Sequence, residues 1–200
     1  VEIPYDDKEV FQWKDLTKGK ETFCQRPSDP QKDIALLQYT GGTTGISKGV
    51  MITHMNLTSN VQQAKGMLYS LGETAETFLG LLPYFHIYSL TVCLNFAASL
   101  GATMIPFPRF APLDVLKAIE KNKPTIFPTA PAVFIALLQQ KGIEKYDLSC
   151  IKYCISGSAP MPVEILSRFK DMTGANIIEG YGLTEASPVT HINPLQGKQK

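Results

Sequence analysis

Residues 151–180 read IKYCISGSAPMPVEILSRFKDMTGANIIEG and predict a strand, a helix and a second strand in succession. Short apolar runs predict the strands at Ile151–Ile155 and Asn176–Glu179. The helix is predicted over Pro162–Thr173, because proline suits a first helical turn and Gly174 suits the left-handed position after the last one. Its apolar stripe is expected to consist of Val163, Leu166, Phe169 and Met172. A strand, a crossover helix and another strand form the unit of a parallel sheet.

From Asp33 onward, short apolar runs alternate with helical patterns along the whole chain. Further strands are predicted at Ile34–Tyr39, Val50–Thr53, Phe78–Leu82, Thr103–Pro106 and Thr125–Phe127. Further helices are predicted at Met55–Tyr69, Tyr88–Ser99, Pro112–Lys121 and Pro131–Gln140. This alternation predicts an α/β fold with a largely parallel sheet and crossover helices on both faces. Residues 1–32 are polar and aperiodic, so we expect an irregular lead-in before an α/β region over residues 33–200.

The composition of the 200 residues excludes several classes of protein. Apolar residues make up 44% and charged residues 18%, a balance that excludes a disordered chain. The formal charge of +1 excludes a strongly basic nucleic-acid-binding protein. Residues 77–108 carry no charged side chain, but Pro83 and His86 interrupt them, so buried strands and a helix are predicted rather than a membrane span. The four cysteines are expected to be reduced, buried thiols, and no zinc site is expected.

A loop rich in glycine and threonine follows the first predicted strand, where residues 37–49 read LQYTGGTTGISKG. Glycines allow backbone N–H groups to approach an anion closely, threonine hydroxyls donate hydrogen bonds, and a lysine adds positive charge. The residues expected to bind phosphate are Thr40, Gly41, Gly42, Thr43, Thr44, Gly45 and Lys48. The loop matches neither the G-x-x-x-x-G-K-[ST] nor the G-x-G-x-x-G pattern, and an ordinary hairpin turn remains the alternative.

Three further polar motifs also follow predicted strands. Residues 81–89 read LLPYFHIYS, residues 155–160 read ISGSAP, and residues 179–185 read EGYGLTE. Ligands of open α/β sheets bind beyond the carboxyl ends of the strands, so these motifs lie where a ligand site is expected. The alternatives are a core histidine or helix cap at His86, a plain turn at 155–160 and a solvated surface turn at 179–185.

The segment TGGTTGISK at 40–48 resembles the phosphate-binding signature of the adenylate-forming superfamily, which includes acyl-CoA synthetases, luciferases and adenylation domains. The motifs at 81–89 and 179–185 resemble the second and third signatures of that family, in the same order. The preceding Leu-Gln-Tyr and Gly41 resemble bacterial long-chain fatty-acid–CoA ligases most. The sequence departs from the common form at Ser47, where proline is frequent, and we expect this to affect loop stiffness more than chemistry. The resemblance implies part of the large N-terminal domain of such an enzyme.

The resemblance also implies a reaction in two steps. A fatty-acid carboxylate attacks ATP to give acyl-adenylate and pyrophosphate, and coenzyme A then displaces AMP. Catalytic roles are implied for His86, Thr184 and Glu185, with Glu185 as the ligand of Mg²⁺. The implied nucleotide-binding residues are Gly157, Ser158, Ala159, Glu179, Gly180, Tyr181, Gly182 and Thr184. The implied acyl pocket is walled by Tyr84, Phe85, His86, Tyr88 and Thr129.

The same resemblance implies a cytoplasmic, bacterial enzyme with small-molecule substrates, for which peripheral membrane association and a homodimeric parent are open expectations. The family's ribose-binding aspartate and C-terminal lysine have no match here, so we expect an internal fragment that is inactive alone. Two alternatives stay open: an enzyme that activates an aryl, medium-chain or amino acid, and a non-catalytic nucleotide-binding or membrane-associated module. No aspartate lies between Glu76 and Asp114 to hold an ammonium group, which argues against an amino acid.

Overall fold

The computed structural model describes residues 29–41, 47–69, 71 and 75–195, together with Lys14 and Lys18. The strands are β1 (Ile34–Thr40), β2 (Lys48–Thr53), β3 (Thr77–Gly80), β4 (Thr103–Pro106), β5 (Ile126–Thr129), β6 (Tyr153–Ser156), β7 (Asn176–Gly182) and β8 (Val189–Ile192). The helices are α1 (His54–Met67), α2 (Phe96–Ser99), α3 (Pro112–Asn122), α4 (Pro131–Leu138) and α5 (Val163–Thr173), and the π-helical segment Ser89–Asn95 leads directly into α2. Most of the predicted lead-in over residues 1–32 lies outside the described residues.

The described strands form two sheets. Six of them form one sheet in the order β4-β3-β5-β6-β7-β8, in which β8 alone is antiparallel to its neighbour. The other two, β1 and β2, form a separate antiparallel hairpin in which Thr40 pairs with Lys48. The larger sheet confirms the predicted α/β fold with largely parallel strands. The strand β8 was not predicted.

Successive residues of the central strands point to opposite faces of the larger sheet. One core lies under α3, α4 and α5 and includes Leu79, Phe127, Cys154 and Ile177. The other lies under α1, the π-helical segment and α2 and includes Phe78, Ile126, Ile155 and Ile178. Helices therefore cover both faces, as predicted, and the central strands β3, β5 and β6 are mostly apolar because they are buried on both faces.

Helix α5 differs from its predicted pattern at two points. The helix begins at Val163, because Pro162 has extended backbone angles and occupies the N-cap position, whereas Gly174 ends it with a φ of 72° as predicted. Phe169 is fully buried, but Val163 is 78% exposed and Met172 is 39% exposed, so the predicted four-residue stripe was wrong. A step of three residues falls about 60° short of a full turn, so repeated steps of three move around the helix and leave the buried face.

The uncharged residues 77–108 form β3, the π-helical segment, α2 and β4, which confirms the interpretation as buried strands and a helix. Among the described helices, none is long and apolar enough to span a membrane. Cys93 and Cys154 are free and buried, and Cys150 is free and half-buried. Burial raises the pKa of the Cys93 thiol to about 11, so this group is a protonated thiol at neutral pH. The fourth cysteine, Cys24, lies outside the described residues.

Phe169 should be a main contributor to the core under α5. Its ring lies 4.8 Å from that of Phe134, edge to face, and 6.4 Å from that of Phe127, measured between centroids. We expect Phe169→Ala to lower the free energy of unfolding by about 3–5 kcal/mol, because it removes buried area and leaves a cavity. Denaturant-induced unfolding followed by circular dichroism measures this loss. Val163→Ala, on the exposed side of the same helix, is the matched control and should change it by less than about 0.5 kcal/mol.

Candidate active site

The predicted motifs meet around one cavity of about 240 Å³. The loop after β3 contributes His86 and Tyr88, the loop after β6 contributes Ser158, and the end of β7 with the turn beyond it contributes Tyr181 and Thr184. These strands are parallel, so their carboxyl ends lie at the same edge of the sheet. The structure therefore brings these residues of the three motifs together around one cavity.

An open cleft of about 510 Å³ lies beside the cavity. Its lining includes the predicted nucleotide-binding residues Ser158, Ala159, Glu179, Gly180, Tyr181 and Gly182. Four of them also line the cavity, namely Ser158, Gly180, Tyr181 and Gly182, so the two spaces share a wall. The ring of Tyr181 is 66% exposed and is available for stacking on a flat base.

His86 both caps a helix and lines the cavity, although the sequence left these two roles as alternatives. Its Nδ1 accepts a hydrogen bond of 3.2 Å from the backbone N–H of Tyr88 and so caps the start of the helical segment. Since Nδ1 is the acceptor, a neutral ring carries its hydrogen on Nε2. The imidazole is exposed and lines the cavity, so Nε2–H is a donor that a ligand can reach.

Tyr88 lines the cavity and also fixes the end of β6. Its hydroxyl donates a hydrogen bond of 2.7 Å to the carbonyl of Ile155. Burial raises the pKa of Tyr88 well above its usual value, so the hydroxyl keeps its proton and remains a donor. The ring packs so closely on Gly157 that a Cβ there would lie 3.3 Å from Tyr88 Cζ. Tyr88 of the second motif thus supports the backbone of the loop after β6.

The loop after β6 has an unusual backbone conformation. Ser158 has a φ of 70°, in the left-handed region that residues other than glycine seldom adopt. The backbone N–H of Met161 donates a hydrogen bond of 3.0 Å to the carboxylate of Glu179 on β7. This contact ties the loop to the neighbouring strand. Strained residues of this kind cluster at functional sites, and Ser158 stands in the wall shared by the cavity and the cleft.

The third motif ends in the short turn Thr184–Ala186, which follows β7. Thr184 lines the cavity, whereas the side chain of Glu185 is exposed and lines neither the cavity nor the cleft. Strand β2, which begins at Lys48, comes within 8 Å of this turn, measured between Cα atoms. The hairpin that carries the glycine- and threonine-rich loop therefore lies beside the turn that contains Glu185, the residue predicted to bind Mg²⁺.

Three residues of the predicted phosphate loop lie at the open end of that hairpin. Thr40 and Lys48 pair across it, and Gly41 follows Thr40. Gly41 and Lys48 are exposed, and Thr40 is half-exposed. The remaining predicted phosphate ligands, Gly42, Thr43, Thr44 and Gly45, lie outside the described residues.

Three of the residues predicted to wall the acyl pocket do not line the cavity. Phe85 is 82% exposed. The Tyr84 hydroxyl lies 3.6 Å from the sulfur of Met104. Thr129 is fully buried, and the alternation along β5 places it on the same face of the sheet as Phe127, opposite the cavity.

The apolar wall of the cavity was missed from the sequence. It comprises Ala64 and Leu68 of α1, Val92 of the π-helical segment, Phe96 of α2, Ile155 of β6, and Val189 and Ile192 of β8. Spacings of four residues, as in Ala64 with Leu68 and Val92 with Phe96, place side chains on one helix face and were the available signal. A four-residue spacing does not indicate which other element the helix face packs against.

The chain belongs to the AMP-binding enzyme family, whose sequence model matches residues 2–200. It is 52% identical over 172 residues to a long-chain-fatty-acid–CoA ligase of Bacillus subtilis (strain 168), covering 86% of this chain and 31% of the relative. It is 36% identical over 192 residues to 4-coumarate–CoA ligase CCL1 of Humulus lupulus, covering 94% of this chain and 35% of the relative. The chain thus spans about a third of the length of these relatives.

A solved structure shows the same fold. The anthranilate CoA ligase AuaEII, crystallised with anthranoyl-AMP, superposes with a TM-score of 0.80 at 28% identity, covering 97% of this chain and 37% of that one. Together with the family match, this similarity confirms the resemblance to adenylate-forming enzymes that the motifs indicated.

Gly182 should be essential for the shape of the wall between the cavity and the cleft. A Cβ at this position would overlap the backbone carbonyl of Pro188, whereas a Cβ at Gly180 would lie 3.7 Å from its nearest neighbour, the carbonyl of His191. We expect Gly182→Ala to lower the free energy of unfolding by about 1–3 kcal/mol, because the backbone must move to relieve the overlap. Gly180→Ala, on the same strand, is the matched control. Equal melting temperatures for the two variants would contradict this packing argument.

Proposed function

We propose that the protein containing this chain is an ATP-dependent acid–CoA ligase whose acids are long-chain fatty acids. The observation that carries the proposal is the wall shared by the apolar cavity and the open cleft, formed by Ser158, Gly180, Tyr181 and Gly182. An acyl group suits the cavity and a nucleotide suits the cleft, so the carboxylate and the α-phosphate would meet at this wall. The names of the relatives support the reaction, and that of the Bacillus subtilis relative supports the acyl class.

The first step brings a carboxylate to a polyanion. Two like unit charges 4 Å apart repel by about 1 kcal/mol in water and about 4 kcal/mol at an effective dielectric of 20. In the proposed roles, His86 Nε2–H and the Thr184 hydroxyl donate hydrogen bonds to the reacting oxygens, and Lys48 adds positive charge beside the phosphates. The carboxylate oxygen then bonds to the α-phosphorus as the bond to pyrophosphate breaks. In the second step the thiol of coenzyme A loses its proton, attacks the acyl carbon and releases AMP.

The donors at the third motif fit a magnesium ion. Magnesium beside a nucleotide takes one or two carboxylates, with phosphate oxygens and waters completing its shell. The exposed Glu185, on the turn beside the hairpin of Lys48, supplies one such carboxylate, and the described residues hold no group of three or more acidic, His or Cys side chains that could bind a metal. In the proposed roles Glu185 would hold the ion, which when bound neutralises charge on the phosphates.

A second candidate is a ligase for aryl acids. Both the 4-coumarate–CoA ligase of Humulus lupulus and the structure with anthranoyl-AMP are named for aromatic acids. A cavity of about 240 Å³ is also smaller than the usual ligand site of about 300–1,000 Å³. The rates of exchange with a fatty acid and with an aryl acid separate the two candidates.

The test is acid-dependent ATP–pyrophosphate exchange by the full-length protein with hexadecanoic, octanoic and 4-coumaric acids. We expect hexadecanoic acid to give the highest kcat/KM. A preference for 4-coumaric acid would favour the aryl candidate. Exchange with none of the acids would support a non-catalytic nucleotide-binding module instead.

Glu185→Ala should lower the exchange rate of the full-length protein on the order of 100-fold. The reason is that loss of the metal-binding carboxylate removes several kcal/mol of charge stabilisation at the phosphates. Glu164→Ala, which removes an exposed carboxylate on α5, is the control and should leave the rate unchanged. An unchanged rate in Glu185→Ala would contradict the role assigned to Glu185.

A further inference from the structure

A groove of about 580 Å³ runs between α1 and β8 and borders the cavity. Its lining includes Met67 from α1 and Thr190 from β8. Three residues, Ala64, Val189 and Ile192, line both the groove and the cavity. The two spaces therefore meet at these side chains, in a region that no predicted motif covers.

The packing of α1 against β8 changes from one helical turn to the next. At Asn60 the two elements are clamped together, because the side-chain amide donates to the Val189 carbonyl at 2.7 Å and accepts from the Val189 N–H at 3.0 Å. Ala64 lies one turn further along the same helix face and carries only a methyl group. Met67 follows in the next turn and is 45% exposed. The small side chain of Ala64 thus lies between the hydrogen-bonded contact at Asn60 and the flexible side chain of Met67.

Away from the wall shared with the cleft, several other residues that line the cavity belong to the protein core. Leu68 and Phe96 are each 1% exposed and Ile87 is 2% exposed. A ligand that extends past them must displace well-packed side chains, which is costly. Extension past Ala64 meets the groove instead, whose lining contains no Asp, Glu, Lys or Arg and includes the adaptable side chain of Met67.

We propose that the distal methylenes of a long, straight acyl chain leave the cavity between Ala64 and β8 and lie in the groove, so that Ala64 determines the accepted chain length. This inference rests on the proposed function and adds a specificity-determining residue to it. The occupant is the apolar end of the substrate, since the groove continues the cavity and its lining contains no Asp, Glu, Lys or Arg; its polar side chains are Gln63, Thr190 and His191.

The test compares ATP–pyrophosphate exchange by the full-length protein with hexadecanoic acid and with butanoic acid. In Ala64→Leu, the larger side chain would fill the junction between the cavity and the groove. The ratio of kcat/KM for hexadecanoic acid to that for butanoic acid should then fall about tenfold or more, in line with the discrimination that a few methylenes allow.

A second variant keeps the inference testable if Ala64→Leu fails to fold. Met67→Glu changes a side chain at the groove that does not line the cavity, and its carboxylate would oppose an apolar chain. The same ratio should fall. Gln62→Leu is the matched control on α1, because Gln62 is exposed and lines neither space, and it should leave both activities unchanged.

The outcomes separate this inference from the proposed function. A wild-type protein that gives no exchange with any acid overturns the proposed function and this inference with it. A wild-type protein that prefers hexadecanoic acid, with Ala64→Leu and Met67→Glu keeping its ratio within twofold, overturns this inference alone. If Ala64→Leu is inactive with both acids, the ratio in Met67→Glu decides.

Discussion

The central strands of the larger sheet are buried on both faces, and this constraint organises the rest of the structure. Adjacent residues such as Ile126 and Phe127 belong to different cores, so the strand between them has no side facing water. Parallel strands with this burial need a crossover helix between each pair. The crossovers bring the carboxyl ends of β3, β5, β6 and β7 to one edge. The polar loops gathered there are the part of the chain free to carry a site.

Two buried polar side chains give that edge its detailed shape. The Tyr88 hydroxyl bonds the Ile155 carbonyl, which lies 67 positions away, and Asn60 bonds the backbone of Val189, which lies 129 positions away. Each contact satisfies backbone groups that would be costly to leave unpaired in the interior. Each also joins elements that secondary structure alone would not hold together. Packing and hydrogen bonding therefore act together on the walls of the cavity and the cleft.

The sequence predicted the strands and helices better than it predicted which residues each of them packs against. The bounds of β4, Thr103–Pro106, agree with the prediction because the apolar run is short and is flanked by glycine and proline. The strand β8 was missed because Thr190 and His191 separate its two apolar residues, and the strand depends on pairing with β7. The loop residues carry motifs, and most of the described ones line the cavity or the cleft. The wall residues Ala64 and Phe96 carry none, because tertiary packing decides what a helix face meets.

The amide of Asn60 also resembles a backbone peptide group in the hydrogen bonds that it makes to β8. In the described sheet β8 is an edge strand, and exposed edges offer backbone donors and acceptors to strands of other molecules. Asn60 presents one donor and one acceptor to Val189, the pattern that a peptide group of a neighbouring strand would present. The backbone groups of Val189 are thus already occupied when another chain approaches. At this position a side chain on a helix takes the place of a further strand.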